Sequence, residues 1–191
     1  ELSRFTADAS HELRTPLTAI RTAGEVGLRE ARDEADYRDV IGSMLDETRS
    51  LGHLVDDLLF LSRGEAGMLA QRREDVDLGE LVRDVIGLLG VLADEKQQRI
   101  RVEAATPVHV VIDRELVRRA LINVVDNAIR YSPPSGEIEI RVARHDGEPH
   151  IDVVDTGPGI APEQRALIFE RFHRVDTARS RRYGGSGLGL A

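Results

Sequence analysis

Tyr37, Ile41, Met44, Thr48, Leu51, Val55 and Leu58 recur at alternating steps of four and three, which makes three heptads of a coiled-coil seam. No other feature constrains the fold as much, because it demands a helix from about Tyr37 to Arg63 and a second helix for the seam to meet. The preceding stretch supplies one: from Leu2 to about Leu28 the pattern is helical, with Leu2, Phe5, Ala9, Leu13, Leu17 and Ile20 on one stripe. The polar run Ala31 to Asp36 reads as the turn between them, so the two helices form an antiparallel hairpin. Leu45, Leu54, Leu59 and Leu61 widen the apolar stripe beyond a two-helix contact. Pairing two hairpins into a four-helix bundle would cover the excess, which predicts a homodimer. The competing reading is a hairpin packed on its own second domain.

At about 100° per residue, His11 points roughly opposite the apolar stripe, Glu12 sits at its flank and Thr15 lies one turn on from His11. A histidine so placed faces water or a partner. Pro16 lacks an N–H and crowds the carbonyl of Glu12, so a bend is expected beside the histidine.

Residues 64–72 lose the periodicity and carry two glycines, which reads as a linker between a domain at 1–63 and another at 73–191. The second domain has a mixed texture. Asp77 with Glu80 resembles a capping box opening a helix through about Asp94. Alternating residues predict strands at 99–104, 108–112, 137–144 and 149–155, the last two joined by the turn Asp146-Gly147. Between them Leu121, Val124, Val125, Ala128 and Ile129 mark a helix capped by Asp113. Helices on one face of a mostly antiparallel sheet make an α/β two-layer sandwich, so the fold class is α+β.

On that helix Asn123 and Asn127 are four apart and lie on one side. Taken alone, two such amides are better explained by a solvated face than by a site, although an amide oxygen suits Mg²⁺ whose charge is otherwise met by phosphates. Asp155-Thr156-Gly157-Pro158-Gly159 ends the last strand. A buried carboxylate there can accept from an exocyclic amine, and glycines let backbone approach a ligand or take positive φ; the same residues also make an ordinary turn. Gly184-Gly185-Ser186-Gly187-Leu188-Gly189 reads either as a phosphate-cradling loop or as a flexible terminus. Between the two glycine clusters lie Arg171, His173, Arg174, Arg179, Arg181 and Arg182, a solvated loop or an anion-binding lid with Phe169 and Phe172 anchoring its base. Glycine clusters on both sides favour the lid.

These stretches together resemble the catalytic core of a bacterial two-component sensor histidine kinase. Ser10-His11-Glu12-Leu13-Arg14-Thr15-Pro16-Leu17 matches the phosphoacceptor box and Asn123 to Asn127 the N box. Asp155 to Gly159 matches the first glycine box, Phe169-Glu170-Arg171-Phe172 the F box, and Gly185 to Gly189 the second glycine box. The resemblance implies a dimerisation and histidine-phosphotransfer hairpin followed by an ATP-binding domain of the gyrase and heat-shock-chaperone type.

It further implies that His11 is the phosphoacceptor, that Glu12 orients the imidazole and takes its proton, and that Asn127 holds Mg²⁺ on the phosphates of ATP with Asn123 assisting. By the same resemblance Arg130 contacts phosphate, Tyr131 packs on adenine, Asp155 reads its amino group, and Arg171 or Arg174 steadies the γ-phosphate. Gly157 and Gly159, with Gly185, Gly187 and Gly189, make the two glycine loops of the site. The phosphoryl group would pass to an aspartate in the receiver domain of a response regulator. Thr15 resembles the residue that positions water for dephosphorylating that regulator. A regulator phosphatase and a non-catalytic dimeric scaffold are the alternative functions.

Composition closes off other classes. With no cysteine there is neither a disulfide nor a thiolate metal site, and 26 basic against 34 acidic residues give a net charge of −8, which argues against nucleic-acid binding. No apolar run approaches the roughly 18 to 20 residues of a membrane span. The expectation is a soluble cytoplasmic fragment of an inner-membrane protein, reaching the membrane only through segments outside this chain. Its stop directly after the second glycine box suggests that a helix and strand of the family lie beyond Ala191.

Overall fold

The computed structural model describes residues 2–29, 33–65, 72–173 and 187–190. They fall into two compact units, one drawn from Glu1–Leu69 with Leu167–Gly189, the other from Ala70–Ala166 with Leu190.

The first unit contains two long helices, α1 (Leu2–Arg29) and α2 (Glu34–Glu65). Gly24 faces Met44 and Gly27 faces Val40, so the contacts advance in opposite directions and the pair is antiparallel. A Cβ on Gly27 would lie 3.0 Å from Val40 Cγ1; glycine there lets the helices approach closely. Helix α1 is continuous through Pro16. Glu34, Ala35 and Asp36, expected in the turn, form the first turn of α2 instead. Asp33 is the reason: its Oδ1 accepts the Asp36 amide at 3.0 Å, as an N-cap does. Residues 31 and 32 of the expected turn, and 66–71 of the expected linker, lie outside the described residues.

Leu54 is buried in this hairpin, but Ile41 is 55% exposed, Leu45 50% and Leu59 51%. Much of the apolar stripe that the heptads predict therefore faces away from α1.

The second unit runs β1 (Arg73–Asp77), α3 (Leu78–Glu95), β2 (Arg99–Glu103), β3 (His109–Asp113), α4 (Arg114–Tyr131), β4 (Glu137–His145) and β5 (Glu148–Asp155). Strand β4 lies between β2, to which it is parallel, and β5, to which it is antiparallel; β1 and β3 pair antiparallel in a sheet of their own. Strands β2 and β3, neighbours in sequence, thus pair with other strands, which is why one pairing is parallel. Asp146 and Gly147 both have positive φ, 52° and 86°, the backbone of a type I′ turn between β4 and β5.

Helices α3 and α4 pack side by side on the strands. Ile138, Ile140 and Val142 alternate inward from β4 against Leu81, Val82 and Val85 of α3 and Leu121, Val125, Ala128 and Ile129 of α4. Each aliphatic side chain buried so contributes about 1.5–3 kcal/mol. Val124, expected in the stripe, is 37% exposed. Strand β1 escaped the sequence reading because Arg-Glu-Asp-Val-Asp holds one apolar residue, Val76, paired with Val110.

Both helix starts are capped by the last residue of a strand. Asp77 Oδ1 accepts from the amide of Gly79 at 2.9 Å, one residue before the Glu80 of the expected capping box. Asp113 Oδ1 accepts from the Leu116 amide at 3.1 Å while its Oδ2 accepts from the Arg72 amide at 2.9 Å. One carboxylate thereby starts the asparagine helix and fixes where the chain enters β1.

Candidate nucleotide site and phosphoacceptor helix

In the second unit, the end of α4 and the loop after β5 meet. The backbone of Gly157 comes so close to α4 that a Cβ would lie 3.2 Å from the Tyr131 carbonyl oxygen. Asp155 Oδ1 accepts the Gly157 amide at 2.7 Å, which folds the loop back on the strand end. Thr156 continues the β4–β5 ladder by one rung with its side chain: its hydroxyl accepts from Glu137 N at 3.1 Å and lies 3.2 Å from Glu137 O. Gly159 serves differently, since it has φ +72° and open space where a Cβ would be. Asp155 itself is exposed, where a buried carboxylate was expected; it ends β5 two residues past Val153, the last partly buried position of that strand.

Asn123 and Asn127 lie one turn apart on α4, both partly buried. Among the described residues the Asn127 side chain makes no hydrogen bond, so its amide is available to a ligand. Arg130 is held by Asp126, with Nη2 2.9 Å from Oδ2 and both side chains partly buried. Tyr131 closes the helix with 41% of its surface exposed. Asn127, Arg130 and Tyr131 thus share the last turn of α4 with the glycine loop packed against its end.

The first unit carries the other residues. His11 and Thr15 are exposed on α1 and Glu12 is partly buried. The Thr15 hydroxyl donates to the His11 carbonyl at 3.3 Å, so these residues are linked through the helix backbone. His11, Arg14, Thr15, Thr18 and Thr22 line an open depression of about 670 Å³. Farther along, Phe172 N–H donates to Gly187 O at 2.9 Å, and a Cβ on Gly187, whose φ is +69°, would lie 2.9 Å from Phe172 Cα. Phe169, expected to anchor the lid, is 63% exposed, and Arg171 is exposed beside it. Gly189 is partly buried. Arg174 and Gly185 lie outside the described residues, as do Arg179, Arg181 and Arg182.

Comparison with known proteins finds the His Kinase A (phospho-acceptor) domain over residues 1–67 and the histidine kinase-, DNA gyrase B- and HSP90-like ATPase over residues 112–191. Among solved structures, histidine kinase AdeS of Acinetobacter baumannii is 30% identical with a TM-score of 0.71, over 94% of this chain and 83% of that one. The chain belongs to the two-component sensor histidine kinases.

Its relatives in that family include the sensor-like histidine kinase SenX3 of Mycobacterium tuberculosis, 40% identical over 98% of this chain and 46% of that protein. Sensor histidine kinase CusS of Escherichia coli is 35% identical over 99% of this chain and 39% of that protein. This histidine kinase chain therefore spans less than half the length of the curated relatives it matches. Full-length ShkA, solved in complex with AMPPNP, is 30% identical with a TM-score of 0.67, over 96% of this chain and 38% of that one.

Three residues of this histidine kinase unit escaped sequence reading although they shape the site. Lys96 Nζ donates to the carbonyls of Ile129 and Arg130, both at 2.8 Å, and Gln98 Nε2 reaches those of Ile129 and Ser132, both at 3.0 Å. Thr156 is the third. Lys96 is the chain's single lysine, a compositional signal that went unused. Gln98 and Thr156 leave no pattern in sequence because their partners are backbone atoms roughly 20 to 35 residues away.

Proposed function

We propose that this chain takes the γ-phosphoryl group of ATP onto His11 and passes it to an aspartate in the receiver domain of a response regulator. The meeting of the Asn127–Tyr131 turn with the Asp155–Gly159 loop carries the reading. An amide, a cation and an aromatic ring on the last turn of α4, next to a loop that begins with an exposed carboxylate, support a nucleotide as the ligand. The AMPPNP bound to ShkA, a relative over nearly the whole of this chain, supports a nucleoside triphosphate as the ligand.

Asp155 would accept from the adenine amino group and Tyr131 would pack on the ring. Arg130, steadied by Asp126, would contact phosphate oxygens. No cluster of three or more His, Cys, Asp or Glu side chains suited to a metal is found among the described residues. Mg²⁺ would therefore be held by phosphates and the neutral amide of Asn127, with Asn123 assisting, and the unpartnered Asn127 side chain fits that part. When bound, the ion neutralises phosphate charge.

At the phosphoacceptor, a neutral imidazole nitrogen of His11 attacks the γ-phosphorus as the bond to the bridging oxygen breaks and ADP leaves. Glu12 orients the ring and accepts its proton. Arg171, Arg174 and the Gly185, Gly187 and Gly189 loop would close over the phosphates, and Thr15 would serve the reverse, hydrolytic step on the regulator. The chain would act as a homodimer, on the cytoplasmic side of the membrane where ATP is found. No helix among the described residues is long and apolar enough to cross a membrane.

The test is incubation with γ-labelled ATP and Mg²⁺, for the parent chain and for His11→Ala. Label on the parent alone, labile to acid and stable to alkali, identifies a phosphohistidine at His11. Label that persists in His11→Ala overturns the assignment.

A further inference from the structure

We infer that Lys96 and Gln98 are positioning residues for the nucleotide: together they fix the last turn of α4 against the Asp155–Gly159 loop. This rests on the reading of that edge as the nucleotide site.

The argument begins with the end of α3. Gln97 N–H donates to Asp94 O and Gln98 N–H to Ala93 O, both at 2.9 Å, the paired bonds of a Schellman motif. The residue that must be left-handed in that motif is usually glycine; here it is Gln97, at φ +56°. A strained turn is thus kept where an unstrained one was open to the chain. Its consequence is the direction of the residues on either side. Both side chains point to the C-terminus of α4, where carbonyl oxygens have no helical partner.

There they divide the acceptors. Lys96 takes Ile129 O and Arg130 O, and Gln98 takes Ile129 O, Ser132 O and, at 3.2 Å, Pro133 O. Tyr131 O is passed over, and it is the carbonyl against which Gly157 packs. A cation and an amide therefore hold the helix end on one side while the glycine loop meets it on the other. The backbone adds two ties: Ser135 N–H donates to Lys96 O, and Arg99 N–H to Gly136 O, both at 2.9 Å.

Gln98 shows a second sign of purpose. It is 5% exposed, its Nε2 faces three carbonyls, and among the described residues its Oε1 has no partner; Ser132 Oγ, in a residue 3% exposed, has none among them either. An apolar residue at 98 would remove the unpaired Oε1 but would leave the carbonyls of Ile129, Ser132 and Pro133 without this donor, so the amide is kept for its grip on the helix end. What the amide supplies is a fixed distance between the α3–β2 turn and the residues just after Tyr131. Removing a grip on the helix end lets Asn127, Arg130 and Tyr131 move relative to Asp155, and binding groups that must act together lose affinity when displaced.

The experiment measures ADP–Mg²⁺ affinity by calorimetry and the KM and kcat for ATP in labelling, on the intact chain and on Lys96→Met, Lys96→Arg, Gln98→Asn and Asp155→Asn. Lys96→Met is expected to weaken ADP binding about tenfold and to raise KM alike, with kcat at saturating ATP unchanged, the size expected for lost charge-assisted bonds. Lys96→Arg should restore most of the affinity. Should Lys96→Met fail to fold, Gln98→Asn, which keeps the amide but shortens its reach, carries the same expectation. Folded variants with lowered unfolding midpoints but parental ADP affinity would overturn the inference and make Lys96 and Gln98 merely structural. Absence of ADP binding by the parent, or an Asp155→Asn variant that binds as the parent does, would overturn the nucleotide reading itself.

Discussion

Gly157 and Tyr131 are in backbone contact: a Cβ on Gly157 would stand 3.2 Å from the Tyr131 carbonyl oxygen, and 2.7 Å from Asp155 Oδ1. Both obstacles belong to the proposed nucleotide site, since one ends the asparagine helix and the other is the proposed adenine contact. Gly157→Ala must displace one of them, at a cost of about 1–3 kcal/mol for overpacking. Gly159→Ala meets open space and bears only the left-handed backbone penalty, about 1–2 kcal/mol. The two substitutions should therefore lower urea stability to a similar degree yet differ in ADP–Mg²⁺ affinity, with Gly157→Ala at least tenfold weaker. Equal affinities would mean that the contact between loop and helix does not shape the site.

What was legible in the sequence follows from where each signal resides. Helix α4 was readable because Leu121, Val125, Ala128 and Ile129 repeat along one helix, and β4 because Ile138, Ile140 and Val142 alternate; both patterns come from burying one face. Strand β1 was not, since its single buried side chain, Val76, gives no period. The site motifs were found as short residue strings, and His11, Asn127 and Asp155 are each local to their element. Lys96, Gln98 and Thr156 act on backbone atoms far along the chain, and a backbone carbonyl carries no residue identity to match. Exposure was misjudged at Phe169 and Asp155 for a related reason: side-chain type predicts burial only on average, and each stands at the end of an element.

Asp113 gives a separable test of how the asparagine helix is anchored. Its two oxygens serve two amides, Leu116 N at 3.1 Å and Arg72 N at 2.9 Å. Asp113→Ala removes both and should cost about 1–2 kcal/mol, the range for loss of an N-cap. Asp113→Asn retains one acceptor oxygen and should fall between the alanine variant and the parent. The check is the urea midpoint at constant slope. An asparagine variant as unstable as the alanine one would show that the carboxylate charge at the helix start, rather than the hydrogen-bond count, supplies the anchoring.

The hairpin predicts its own assembly. Ile41, Leu45 and Leu59 are about half exposed on α2, within the heptad pattern or beside it, and α1 leaves them open. Leu88 on α3 is as exposed, at 54%, but belongs to the other unit. If a second hairpin covers the first, Ile41→Glu with Leu59→Glu places four carboxylates in the bundle of a dimer, and burying unpaired charge costs far more than the apolar contact returned. Sedimentation velocity should then show the parent as a dimer, the double variant as a monomer and Leu88→Glu as a dimer. ADP–Mg²⁺ affinity should be the same in all three, because the residues assigned to adenine and Mg²⁺ lie in the second unit. Dissociation by Leu88→Glu alone would move the dimer contact to the ATPase unit and leave the heptad seam without a role in assembly.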